Sequence, residues 1–90
     1  MKVIKRDGKI VDYDRSKIVR AIEKANAEVA PDERLSKDRI DAVIDRIEAL
    51  KRPRMLVEDI QDLVEQGLVE ENKFHLAKTY IIYRYNRALV

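Results

Sequence analysis

Cysteine and tryptophan are absent, and the 90 residues hold two glycines, two prolines and one histidine. Without cysteine there is no disulfide, no zinc–thiolate site and no thiol nucleophile. Gly8 and Gly67 lie far apart, so no glycine-rich phosphate loop exists, and nothing reads as a linker or low-complexity tract. His75 stands alone at the start of a helical pattern and reads as a surface residue rather than a general base or metal ligand. No apolar run is long enough to span a bilayer, and no secretory signal precedes the first strand, which makes the cytoplasm the expected location. Charge of one sign is also lacking. Nineteen Lys and Arg against seventeen Asp and Glu leave +2, too little for a protein that coats nucleic acid.

What is present suits one small domain covering residues 1–90, with 46% hydrophobic and 40% charged residues. Segments 2–6 and 9–13, rich in Val, Ile and Tyr, flank Asp7-Gly8. A two-residue Asp-Gly turn predicts a β-hairpin over 2–13. Its register would set Arg6 against Lys9, Lys5 against Ile10, Ile4 against Val11 and Val3 against Asp12. Ile4, Val11 and Tyr13 would share one face. Val3, Lys5, Ile10 and Asp12 would share the other, so both faces need cover. The like charges of Arg6 and Lys9 would oppose each other unless an anion lies close.

Four helices follow, at about 15–30, 37–50, 58–70 and 73–89. Asp14 or Ser16 caps the first, Ser36 the second and Asn72 the fourth. Ile40, Val43, Ile44, Ile47 and Leu50 make an i, i+3, i+4, i+7 stripe on the second helix. Ile60, Leu63, Val64 and Leu68 point inward from the third, whose last turn Gly67 weakens. The fourth is apolar around much of its circumference, with Phe74, Ala77, Ile81, Tyr85 and Ala88 on one stripe and Leu76, Tyr80, Tyr83 and Arg87 on a second. That predicts a central helix. Residues 54–57 could add a short extended piece. The fold class is mainly α with a small β cap: a four-helix bundle under a hairpin, or under a three-stranded sheet.

Most carboxylates, such as Glu23, Asp41, Asp45 and Glu48, read as solvated helix faces. Asp59, Asp62 and Glu65 could share a face, as a metal site or, more simply, as solvated charge. The cations are more informative. Lys5 and Arg6 adjoin the hairpin turn. Lys17 lies in the first turn of helix one, where the dipole disfavours a cation unless an anion docks. Arg84 and Arg87, beside Tyr80 and Tyr83, could fork onto phosphate oxygens. Ordinary surface charge is the competing reading, and the position of Lys17 tilts the balance toward a small polyanionic ligand.

The ordered segments "VIKRDGKIVDYDRSKIVRAI", "VEDIQDLVE" and "AKTYIIYRYNR" resemble the ATP-cone family over roughly residues 2–88. The resemblance implies a four-helix bundle capped by a small sheet that binds ATP or dATP, with Mg2+ accompanying the nucleotide, as an allosteric effector. It implies attachment to the catalytic domain of a ribonucleotide reductase, with nucleotide-dependent homo-oligomerisation. Such domains also occur behind a zinc ribbon in a transcriptional repressor. The lack of cysteine and the start at Met1 look more like a reductase terminus. Carried over, Val3 to Arg6, Ile4 included, match the strand lining the nucleotide, with Val3 beside the base and Lys5 and Arg6 on phosphates. Asp14 matches a polar residue near the ribose or base, Lys17 a phosphate-binding lysine and Gln61 a residue facing the nucleotide. Arg87, with Arg84 added, matches a cation near the phosphates. Val57 departs from the pattern, because some relatives carry a hydroxyl there. No catalytic residue is implied. The hairpin would be a lid over a triphosphate, its outer apolar face covered by the base. The alternative is a small protein-interaction or nucleic-acid module, with helices two and three as a DNA-reading pair around Lys-Arg-Pro-Arg. The acidic third helix argues against that.

Overall fold

In the computed structural model, which describes residues 1–88 and side chains through residue 86, strands and helices alternate more than the sequence pattern suggests. β1 (Lys2–Ile4), β2 (Ile10–Asp12), α1 (Arg15–Asn26), a 3-10 turn (Pro31–Glu33), α2 (Lys37–Glu48), β3 (Arg54–Leu56), α3 (Val57–Glu70) and α4 (Phe74–Ala88) follow in order. The protein is mainly helical, with a small mixed sheet ordered β2-β1-β3. β1 pairs antiparallel with β2 and parallel with β3. Because β3 lies between α2 and α3 and is bonded to β1, these helices are not joined by the short turn that a DNA-reading pair needs. No helix among the described residues is long and apolar enough to cross a membrane.

The hairpin register differs from the expected one by one residue. Val3 lies opposite Val11, Ile4 opposite Ile10 and Lys2 opposite Asp12, where an ion pair forms. The loop is Arg6-Asp7-Gly8, closed by Lys5 N–H donating to Lys9 O at 2.8 Å and Gly8 N–H to Lys5 O at 2.9 Å. Asp7 Oδ1 accepts from Lys9 N–H at 3.0 Å, and Gly8 has φ +87°, which a glycine adopts without steric cost. Three-residue loops with a left-handed last position are the next favoured after two-residue turns. The slip is decided by packing. It places Val3 and Val11 together on the inner face with Met55, burying Val3 and Met55 in the core. It also moves Arg6 out of the ladder, so the predicted clash with Lys9 does not arise.

α1 ends four residues earlier than expected. Asn26 turns its side chain onto the Leu35 backbone, donating to Leu35 O at 2.9 Å and accepting from Leu35 N–H at 3.0 Å. Arg34 Nε donates to the Asn26 and Val29 carbonyls, and Pro31 starts the 3-10 turn. Asp14, not Ser16, caps α1. Ser36 caps α2 by accepting from Arg39 N–H at 3.4 Å. Asn72 does not cap α4. With φ +61° it closes α3 instead, where Asn72 N–H donates to Val69 O and Lys73 N–H to Leu68 O, the two bonds of a Schellman ending.

The core gathers Ile22 and Ala25 of α1, Ile40, Val43, Ile44 and Ile47 of α2, Ile60, Val64 and Leu68 of α3, and Leu76, Ala77 and Tyr80 of α4. α1 and α3 each pack against both α2 and α4. Leu50 lies past the end of α2 and is exposed, and Leu63 is partly buried. α4 is not central. Phe74, Ile81, Ile82 and Tyr85 are 59%, 44%, 51% and 62% exposed.

Gly67 does not weaken the end of α3. It is buried in the helix, and an added Cβ would lie 2.6 Å from Val43 Cγ1. The missing side chain lets α2 and α3 approach closely. Overpacking of this kind costs about 1–3 kcal/mol, offset by about 1 kcal/mol of helix propensity. Gly67→Ala should therefore lower stability by a net of up to about 2 kcal/mol. Urea unfolding checks this, and a variant as stable as the parent would show that the helices can move apart freely.

Candidate nucleotide site

A cavity of about 470 Å³ opens beneath the sheet, between α1 and the α3–α4 pair. That is within the range of small-molecule sites. Val3, Lys5 and Val11 line it from the hairpin, and Tyr13 and Asp14 from the segment entering α1. Lys17, Ile18, Arg20, Ala21 and Lys24 form the α1 wall. Val57, Ile60 and Gln61 of α3 and Tyr80, Tyr83 and Arg84 of α4 form the opposite side.

The sequence-derived candidates divide accordingly. Val3, Lys5, Asp14, Lys17, Gln61 and Arg84 share the cavity. Ile4 does not, because the observed register puts it on the outer face with Ile10 and Leu56. Arg6 is at the rim: Nε donates to Glu58 Oε1 at 2.8 Å and Nη2 to Gln61 Oε1 at 3.2 Å. Arg87 belongs to the last turn of α4, and its side chain lies outside the described residues. The outer apolar face of the hairpin is thus not the face over the cavity. The roof is its inner face.

Arg20 and Lys24 were missed. The signal was readable: Lys17, Arg20, Ala21 and Lys24 recur at i, i+3, i+4 and i+7, one face of α1. Tyr83 joins them, with Lys24 Nζ 5.7 Å from its ring centre.

The cavity is electropositive for a physical reason. Among the described residues, no salt bridge engages Lys5, Lys17, Arg20 or Lys24. Of the two lining carboxylates, Asp12 and Asp14, the first is paired with a cation outside the cluster and the second stays charged near Arg20 and Lys17, so the cations still outnumber them. Asp12 pairs with Lys2. Asp14 accepts from the Ser16 hydroxyl at 2.6 Å and Ser16 N–H at 3.0 Å, and these bonds hold its carboxyl below the usual range. Arg84 differs from the lysines. It donates to Asp62 at 2.8 Å and to Glu65, and joins α4 to α3. Partial burial works against its charge, but the hydrogen bonds to both carboxylates and their negative charge together outweigh that and raise its pKa. Asp62 and Glu65 are therefore partners of Arg84, and no group of acidic or histidine side chains among the described residues could hold a metal ion.

A second network fixes the wall that carries Asp14 and Lys17. Arg15 donates to Asp45 at 2.8 Å, Glu48 at 2.9 Å and Asp41 at 3.2 Å, side chains spaced along one face of α2. Tyr13 Oη donates to Glu48 Oε2 at 2.6 Å. Burial and the Glu48 bond push the Tyr13 pKa well up, so the phenol stays protonated as a donor. Carboxylates expected to form a solvated face thus clamp the start of α1 onto α2. An i, i+4, i+7 acidic stripe looks alike in the sequence whether it meets water or an arginine.

The chain matches the family model described as the ATP cone domain over residues 1–89. It is 40% identical over 87 residues to a vitamin B12-dependent ribonucleoside-diphosphate reductase of Mycobacterium tuberculosis, covering 97% of this chain and 12% of that protein. It is 36% identical over 94 residues to the enzyme of the same description from Thermoplasma acidophilum, covering 98% and 12%. A ribonucleoside-diphosphate reductase subunit alpha of Chlamydia trachomatis is 33% identical over 101 residues, covering 100% and 10%. The chain thus spans about an eighth of the length of the first two relatives.

Proposed function

The chain belongs to the ATP-cone family, and on that premise we propose that it is the nucleotide-sensing part of a ribonucleotide reductase, holding ATP or dATP in the cavity under the sheet. It carries no catalysis of its own in this reading. The observation that supports it is the cluster of cations without salt-bridge partners, Lys5, Lys17, Arg20 and Lys24, facing one cavity of nucleotide size. A triphosphate, with Mg2+, would lie against Lys5 and Lys17. Val3 would border the base, and Gln61 and Asp14 would hydrogen-bond the base or ribose. Arg6 would act from the rim, Arg84 from the α4 side of the cavity and Arg87 from the end of α4, with the helices as a bundle floor. ATP would favour an active state of the attached enzyme and dATP an inhibited one, by binding those states with different affinity.

A ligand that binds only the folded form adds about 2.7 kcal/mol at a hundredfold excess over its Kd. For a domain of this size that is a rise of about 10 °C or more in Tm. Millimolar ATP or dATP with magnesium should produce it, read by thermal unfolding. An unmoved melting curve would remove the nucleotide reading.

The reading extends to assembly. Phe74, Ile81, Ile82 and Tyr85 of α4 are exposed, more apolar surface than one helix usually offers to water. Nucleotide-dependent self-association through this face is expected. Sedimentation of the parent and of Ile82→Glu, with and without dATP, checks it. A strict monomer at high concentration under both conditions would count against it.

A further inference from the structure

Arg6 is where the hairpin loop meets the helices. The loop's other bonds are local: Gly8 N–H to Lys5 O, Lys9 N–H to Asp7 Oδ1, and a Lys9–Asp7 ion pair at 3.9 Å. Among the described residues, the bonds from Arg6 to Glu58 and Gln61 tie the loop to α3, across 52 and 55 positions of sequence. They span the seam beside the cavity, since Lys5 and Gln61 both line it. The tie is weak by construction. The Arg6 and Glu58 side chains are 38% and 56% exposed, and ion pairs at such sites are readily exchanged.

Glu58 is unusual in another respect. It lies in the first turn of α3, whose N-cap residue, Leu56, offers no side-chain cap. The positive end of the helix dipole therefore stabilises the Glu58 carboxylate even when no cation touches it. Such a carboxylate can release an arginine at little cost.

We propose that Glu58 is a surrogate anion for Arg6. In the ligand-free protein it holds the guanidinium and closes the loop on α3. When a polyphosphate enters the cavity, Arg6 leaves Glu58 for phosphate oxygens. The inference rests on the nucleotide reading above and adds how the site is regulated. Carboxylate and phosphate offer the same fork to a guanidinium, and the phosphate carries more charge, so the exchange runs toward the ligand. Glu58 is then a positioning residue that keeps Arg6 oriented in the empty site and lowers the affinity of the filled one. A carboxylate with a purely structural role would do the reverse, supporting the filled site.

The test uses this 90-residue chain with Glu58→Gln, Arg6→Gln and the double variant, all at exposed positions. Amide hydrogen exchange reads residues 6–9 in the ligand-free protein, and calorimetric titration reads ATP and inorganic tripolyphosphate. Both single changes should speed loop exchange. Glu58→Gln should bind ATP and tripolyphosphate about two- to fivefold more tightly, the worth of one exposed ion pair no longer competing. Arg6→Gln should bind both about tenfold or more weakly, and adding Glu58→Gln to it should recover nothing. Equal or weaker binding by Glu58→Gln, with a parent that binds, overturns the exchange and leaves the nucleotide reading standing. A parent that binds neither ligand overturns both.

Discussion

Leu68→Ala should lower the stability of the protein by about 2–5 kcal/mol, the cost of a buried leucine truncated where the core cannot collapse. Leu68 is fully buried on α3 among Ile22, Ile44, Val64 and Leu76, residues from all four helices that are themselves inaccessible to solvent. Total stabilities of natural domains are about 5–15 kcal/mol, so this one change removes a large part. The Tm should fall by about 10–30 °C. Ile82→Ala, at a side chain 51% exposed, removes as much hydrocarbon chemistry from the sequence and should stay within about 0.5 kcal/mol of the parent. Urea unfolding of both variants, with comparable m values, is the measurement. Similar losses at the two positions would mean that α4 is covered in the isolated chain or that α3 does not hold the core.

Lys17→Ala should weaken ATP binding by about 1.5–3 kcal/mol, the worth of a hydrogen bond to a charged group, or about 10- to 150-fold in Kd. The empty protein should be unharmed. The first turn of α1 has no acidic residue, and Lys17 stands there at the positive end of the dipole. No salt bridge among the described residues engages it. Removing it should leave stability unchanged or raise it by up to about 1 kcal/mol. The affinity of the parent should fall with added salt more steeply than that of the variant, because one screened contact is gone. Lys37→Ala, in the first turn of α2 and outside the cavity lining, is the control and should change neither quantity. Calorimetric titration of all three proteins decides it, and equal affinities would place the triphosphate elsewhere.

Elements whose periodicity is local are legible in the chain alone. The stripe Ile40–Val43–Ile44–Ile47 marks the buried face of α2 because a helix repeats every 3.6 residues whatever it packs against. Lys17 stood out because a cation at a helix start is unfavourable before any partner is known. Asp7-Gly8 located the hairpin loop but not its length. Two- and three-residue loops both use a glycine at positive φ, and only the burial of Val3 beside Val11 and Met55 selects between them. The exposed Phe74, Ile81, Ile82 and Tyr85 of α4 are as apolar in sequence as its buried Leu76 and Tyr80. Which face turns inward depends on where α1 and α3 lie. Gly67 reads as a helix weakness in the sequence, and the fold makes it the point where α3 closes on Val43. The acidic stripe of α2 and the carboxylates of α3 became partners of Arg15, Arg84 and Arg6 only when distant segments met. Charge on a helix surface carries no mark of its counter-ion. The tertiary structure alone decided which cations are neutralised and which, Lys5, Lys17, Arg20 and Lys24, remain without a salt bridge facing the cavity.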